Sequence, residues 1–85
     1  MTREELAELF RDNLRALRED AGLSQSELAR RMQTVPGVVC DLERGRRVPT
    51  FGTLAALADG LGVTPAALLS TVRSRHKGKR PSISA

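Results

Sequence analysis

The chain has 85 residues, fourteen Lys and Arg against ten Asp and Glu, one cysteine and one histidine. That length holds one domain rather than two, and Cys40 alone excludes an internal disulfide or a cysteine pair for a metal shared with the lone His76. No apolar run approaches a membrane span and the chain is charged from Arg3 onward, so a soluble, cytoplasmic domain is expected.

Ala, Leu, Arg and Glu dominate, with Phe10 and Phe51 the only aromatics and Ile83 the only isoleucine. This mixture favours helices and starves sheets. The net charge of +4 is unevenly placed. Arg73, Arg75, Lys77, Lys79 and Arg80 crowd the last stretch, and residues 1–72 hold nine basic and ten acidic side chains, a net of −1. Within that near-neutral body Glu4, Glu5 and Glu8 gather at the start and Arg30, Arg31, Arg44, Arg46 and Arg47 in the middle. A local basic patch on a neutral body suits a surface for phosphates, or a solvated face of mixed charge.

In chain order, Leu6, Leu9, Phe10, Leu14 and Leu17 recur at three and four residues. They predict a first helix from Glu4 or Glu5 to Asp20, capped by Thr2 with Glu5 and stopped by Gly22. Ser24, with Glu27 three residues on, opens a second helix over Gln25 to Met32, with Leu28, Ala29 and Met32 inward. Pro36 has no amide hydrogen and fits a first helical turn, so the third helix runs from Pro36 to Arg44 with Val39 and Leu42 buried and Gly45 as its stop. Thr50 caps a fourth over Phe51 to Leu61, whose inner face is Leu54, Leu57, Ala58 and Leu61, and Gly62 ends it. Thr64 and Pro65 start a fifth through Leu69 or slightly beyond. Residues 1–73 form the expected domain, and 74–85, rich in basic residues, Ser, Gly and Pro, read as a disordered basic tail.

The segment from Arg18 through Leu23-Ser24-Gln25, Leu28-Ala29, Leu42-Glu43-Arg44-Gly45-Arg46-Arg47-Val48-Pro49, and Leu54, Leu57-Ala58, Leu61-Gly62-Val63 resembles the Cro/C1-type (XRE-like) helix-turn-helix family over about two-thirds of the chain. The resemblance implies an all-α, compact five-helix domain of the lambda-repressor kind, with the helix-turn-helix at helices 2 and 3. It implies a cytoplasmic, nucleoid-associated transcription regulator, expected to be a repressor, that binds double-stranded operator DNA as a homodimer without a cofactor or a membrane partner. The second helix would cross the DNA backbone and the third enter the major groove.

Carried over position by position, Ser24 and Gln25 fall where the family binds a phosphate at a helix start, and Arg44, Arg46 and Arg47 where it touches phosphates. Arg18 and Glu43 match positions that form a buried ion pair in some members. Base-facing positions fall on Pro36, Gly37 and Asp41, with Val38 and Cys40 nearby. Here the chain departs from the family, because Pro36 and Gly37 have no polar side chain. Asp41 can only accept, which suits a cytosine amino group, and Val38 suits a thymine methyl.

Three readings follow: groove insertion with specificity from Asp41, Val38, the arginines and DNA shape; a degenerate module that binds a protein through an apolar face of Val35, Val38, Val39 and Cys40; or an antitoxin-like protein that binds both. The fifth helix and the loop before it, with Leu68, Leu69 and Val72, are the expected dimer surface. Leu68 equally fits a monomer core. Cys40 reads as a small hydrophobe in preference to a redox switch, since Asp41 beside it opposes thiolate formation. No nucleophile has an evident base partner, so no catalysis is expected.

Overall fold

A computed structural model describes residues 1–71. It holds four α-helices, α1 (Arg3–Asp20), α2 (Gln25–Arg31), α3 (Pro36–Arg44) and α4 (Phe51–Leu61), then a 3-10 helix (Pro65–Leu69). There is no strand among the described residues, and no helix there is long and apolar enough to cross a membrane. Val72 and the expected tail lie outside the described residues.

Each helix begins where local chemistry satisfies its first amides. The Thr2 hydroxyl accepts from the Glu5 amide at 3.1 Å while Glu5 accepts the Thr2 amide at 2.8 Å. Ser24 and Glu27 repeat this exchange at α2, and the Thr50 hydroxyl accepts from Thr53 at α4. At α3 no side chain caps; Pro36 simply removes one donor that would need a partner.

All four α-helices end in the same backbone closure, in which an amide beyond the helix reaches back five residues. Leu23 donates to Arg18, Thr34 to Ala29, Arg46 to Asp41 and Val63 to Ala58, at 2.8–3.1 Å. The closure needs a left-handed residue. Gly22, Gly45 and Gly62 supply it for three helices, and for α2 it is Gln33, at φ +61°. A side chain in that region is strained relative to glycine.

Phe10, Leu14, Leu28, Ala29, Val39, Leu42, Leu57, Ala58, Leu61 and Leu68 form one buried core. Leu6, predicted on the buried stripe of α1, stays substantially exposed because the core lies farther along that helix. The small Ala29 lets α2 and α3 pack closely, and Gly60 does the same for α2 and α4. A Cβ at Gly60 would meet Leu28 Cδ1 at 3.1 Å, and its carbonyl accepts from Arg31 Nη1 at 3.0 Å.

The predicted fifth helix is a 3-10 helix, and it ends at Leu69. The buried Asn13 on α1 donates through Nδ2 to the carbonyls of Leu68 at 3.0 Å and Ser70 at 2.9 Å. Those carbonyls are held by α1, and the five-residue segment closes with i to i+3 bonds such as Ser70 to Ala67. This docking turns Leu68 wholly inward. As a dimer-surface candidate Leu68 is therefore corrected: it completes the monomer core, while Leu69 remains on the surface.

Candidate nucleic-acid interface

The interface candidates are organised around Glu43, in the last turn of α3, whose side chain has no exposed surface. Arg18 of α1 grips it through two parallel bonds, Nε to Oε2 and Nη2 to Oε1, the latter at 3.1 Å. The remaining Nη1 of Arg18 donates to the Leu23 carbonyl at 2.8 Å, tying the α1–α2 turn to the same cluster. Gln25 Nε2 donates to Glu43 Oε1 at 3.0 Å, and Arg15 Nε lies 3.5 Å from the same oxygen. Burial pushes the Glu43 carboxyl up, but the hydrogen bonds from Arg18 and Gln25 and the charges of Arg18 and Arg15 outweigh it and hold it below the usual carboxylate value. The hydrogen bond to Glu43 in turn raises the Arg18 guanidinium against the opposing effect of its own burial.

This cluster fixes Gln25 in space. The start of α2 is brought within hydrogen-bond distance of the last turn of α3, one residue before Arg44. An amide nitrogen carries two hydrogens, and only one is committed to Glu43. The other is available to an anion beside the α2 N-terminus. Ser24 Oγ already accepts from Glu27, which leaves its own hydroxyl hydrogen for a phosphate oxygen.

Arg44, Arg46 and Arg47 are all exposed, in and just beyond the last turn of α3. Arg47 Nη2 lies 4.0 Å from Asp41 Oδ2, so the acidic base-reading candidate and one phosphate candidate face each other. Both side chains are substantially solvated, and a pair of this kind contributes little to stability, about 0–1 kcal/mol. Its importance is electrostatic, because it offsets the repulsion that Asp41 alone would present to a phosphate.

Pro36 and Gly37 are exposed at the start of α3, and no other atom lies within 4 Å of a Cβ built on Gly37. That end of α3 is therefore slim and unobstructed. Val38 is half-buried and packed against the core, leaving only part of its side chain outward. The apolar face expected from Val35, Val38, Val39 and Cys40 does not form as one surface. Val39 is fully enclosed in the core, Cys40 is half-buried, and Val35 alone of the four is well exposed. The reason is helical period: Val39 and Leu42 share the inward side of α3, and Val35 lies outside the helix as its cap.

Sequence reading passed over Arg15. It stands three residues before Arg18, so i, i+3 spacing puts both guanidiniums on one face of α1, and the packing of α3 brings Glu43 to them. Beside it a shallow cavity of about 250 Å³ is lined by Arg11, Asp12, Arg15, Ala16, Glu19 and Glu43. Its charges are mixed, and Arg11 leaves it to lie against Gly45, within 3.0 Å of where a Cβ would stand.

Comparison with known proteins agrees with this architecture. A family model described as a helix-turn-helix domain matches residues 9–70. An uncharacterized HTH-type transcriptional regulator, y4dJ, of Sinorhizobium fredii is 36% identical over 76 residues, 89% of this chain and 99% of the relative. The HTH-type transcriptional regulator DdrOP3 of Deinococcus deserti is 39% identical over 61 residues, 72% of this chain but only 47% of the longer relative. No solved structure gives a significant match. With a helix-turn-helix model matching from the middle of α1 to the end of the 3-10 helix, and a relative aligned over almost its whole length, the chain belongs to the helix-turn-helix domain family.

Proposed function

We propose that this protein is a DNA-binding transcriptional regulator, acting as a repressor on operator DNA, and that α2 and α3 are its helix-turn-helix unit. In this reading α3 enters the major groove by its slim N-terminal end. Ser24 and Gln25 hold one phosphate, and Arg44, Arg46 and Arg47 hold others. Pro36 and Gly37 allow close approach, and Asp41 accepts from a base amino group while Arg47 screens it. No catalytic step and no cofactor are assigned, and the role places the protein in the cytoplasm with the nucleoid.

The observation that carries the reading is the Gln25–Glu43 hydrogen bond. It joins the anion-binding end of α2 to the turn of α3 that leads into the arginines, so that three elements can follow one stretch of backbone. The names of the two relatives support the same class. A single α3 spans only a few base pairs, and two copies on a palindromic site would double the contact.

The test is selection of fragmented genomic DNA by the purified protein, with recovery and sequencing. A short, two-fold symmetric motif is expected. Absence of enrichment at low salt would overturn the proposal and direct attention to a protein partner.

A further inference from the structure

Two guanidiniums, Arg15 and Arg18, face one carboxylate at Glu43. Arg18 is enclosed beside it and makes both bonds of a bidentate pair, so it alone neutralises the charge. Glu43 Oε1 already accepts from Arg18 Nη2 and Gln25 Nε2, which fills its two lone pairs. Arg15 Nε, at 3.5 Å, is a third and longer contact, and its side chain is 56% exposed against 13% for Arg18. The cluster therefore holds one positive charge more than its carboxylate needs, and that charge stands on Arg15 at the solvent side. Asp12 and Glu19 lie near Arg15 along α1, yet neither forms an ion pair with it. Among the described residues Glu43 is its one ionic partner, so the four Nη hydrogens of Arg15 are uncommitted.

We propose that Arg15 binds a DNA backbone phosphate together with Gln25, so that α1 takes part in the interface. Both side chains reach the same Glu43 oxygen, Gln25 Nε2 at 3.0 Å and Arg15 Nε at 3.5 Å. An amide with a spare hydrogen and a guanidinium with four are thereby brought to one place, where a single phosphate can accept from both. Glu43 is the positioning residue. It holds each donor by an inner nitrogen and leaves the outer hydrogens to the anion. With Nε of Arg15 turned to Glu43, the edge made by its two Nη atoms is the one presented outward, and that edge suits a phosphate bidentately.

The acidic neighbours decide the side. Asp12 and Glu19 border the cavity next to Arg15, whereas Gln25 does not, so a phosphate is favoured on the Gln25 side. This contact rests on the function proposed above and adds to it a residue outside α2 and α3.

Fluorescence anisotropy with a labelled mixed-sequence duplex of about 20 base pairs, from about 50 to about 200 mM KCl, reads both affinity and its salt slope. Arg15→Gln removes the charge and keeps a donor near Glu43. It is expected to weaken binding about tenfold at the lowest salt and to reduce the slope by about 1. Arg15→Lys restores a cation and should keep most of the slope. Arg3→Gln removes the same charge about 18 Å away along α1 and should leave the slope unchanged. Urea midpoints of all three variants should match the wild type, because Arg18 already pairs Glu43.

A wild-type slope in Arg15→Gln overturns the proposal. So do equal losses in Arg15→Gln and Arg3→Gln, which would mark a diffuse effect of net charge. Weaker binding with a lowered urea midpoint and an unchanged slope also overturns it, since a merely structural Arg15 would behave in that way. Arg44→Ala separates this from the broader reading: a slope lowered by Arg44→Ala but not by Arg15→Gln removes Arg15 alone, whereas a wild type that binds no duplex at the lowest salt overturns both.

Discussion

Arg18 and Glu43, 25 residues apart in the chain, meet as a bidentate ion pair whose carboxylate is completely enclosed. The pair joins α1 to α3 and, through Gln25, holds the start of α2 to both. Removing one partner leaves a buried charge without compensation, a loss of about 3–5 kcal/mol, whereas replacing both by apolar residues of similar volume costs much less. Arg18→Met is therefore expected to lower the urea midpoint sharply, and Arg18→Met with Glu43→Leu to recover most of the loss. Equal destabilisation by the single and the double variant would show that the pair has no such coupling.

The same carboxylate sets a pH dependence. Its folded pKa is held below the ordinary glutamate value, so the unfolded chain takes up the proton first as pH falls. The stability it contributes is fully present above the unfolded value, about 4.3, and is lost as pH falls from there through the lower folded value. Thermal melts between pH 7 and 3 should show the wild type falling toward Glu43→Gln in that window. The two should keep a constant separation above it.

Asn13 makes a comparable tie of neutral groups. Asn13→Ala removes the donor from the buried Leu68 carbonyl, and an unsatisfied buried polar group costs about 1–3 kcal/mol. Hydrogen exchange should quicken most in residues 65–70, since those lose their anchor to α1. Uniform quickening over the whole domain would count against a local tether.

Gln33 occupies a conformation that glycine adopts without penalty. Gln33→Gly removes strain of about 1–2 kcal/mol and returns part of it as greater freedom of the unfolded chain. A net gain of up to about 1 kcal/mol, read as a higher melting temperature, is expected. A loss would mean that the Gln33 side chain contributes something its exposed position does not reveal.

The Asp41–Arg47 pair predicts opposite effects at its two ends. Arg47→Ala should weaken binding to all duplexes and reduce the slope of log affinity against log salt by about 1. Asp41→Ala frees Arg47 for phosphates, and so should strengthen non-specific binding while changing base preference at one position of the selected motif. An unchanged motif for Asp41→Ala would remove Asp41 from the readout and leave it as a screen for Arg47.

Much of the fold is decided locally and is legible in the sequence. Thr2, Ser24 and Thr50 start helices through bonds to amides three residues away, Pro36 starts one by lacking an amide, and Gly22, Gly45 and Gly62 stop three. These are near-neighbour interactions, so residue type and spacing are enough. The apolar stripes of α2, α3 and α4 likewise announce their inward faces by period.

What the sequence could not determine lies in contacts between distant segments. Gln33 takes the left-handed place without glycine because the packing of α2 on α3 holds the turn closed. The fifth helix is a 3-10 turn with Leu68 inward because Asn13, 55 residues away, captures its carbonyls. Gln25 spends one donor on Glu43, 18 residues on, which no pattern around Ser24 discloses. Local chemistry set where the helices begin and end; tertiary packing decided which side chains remained for a partner.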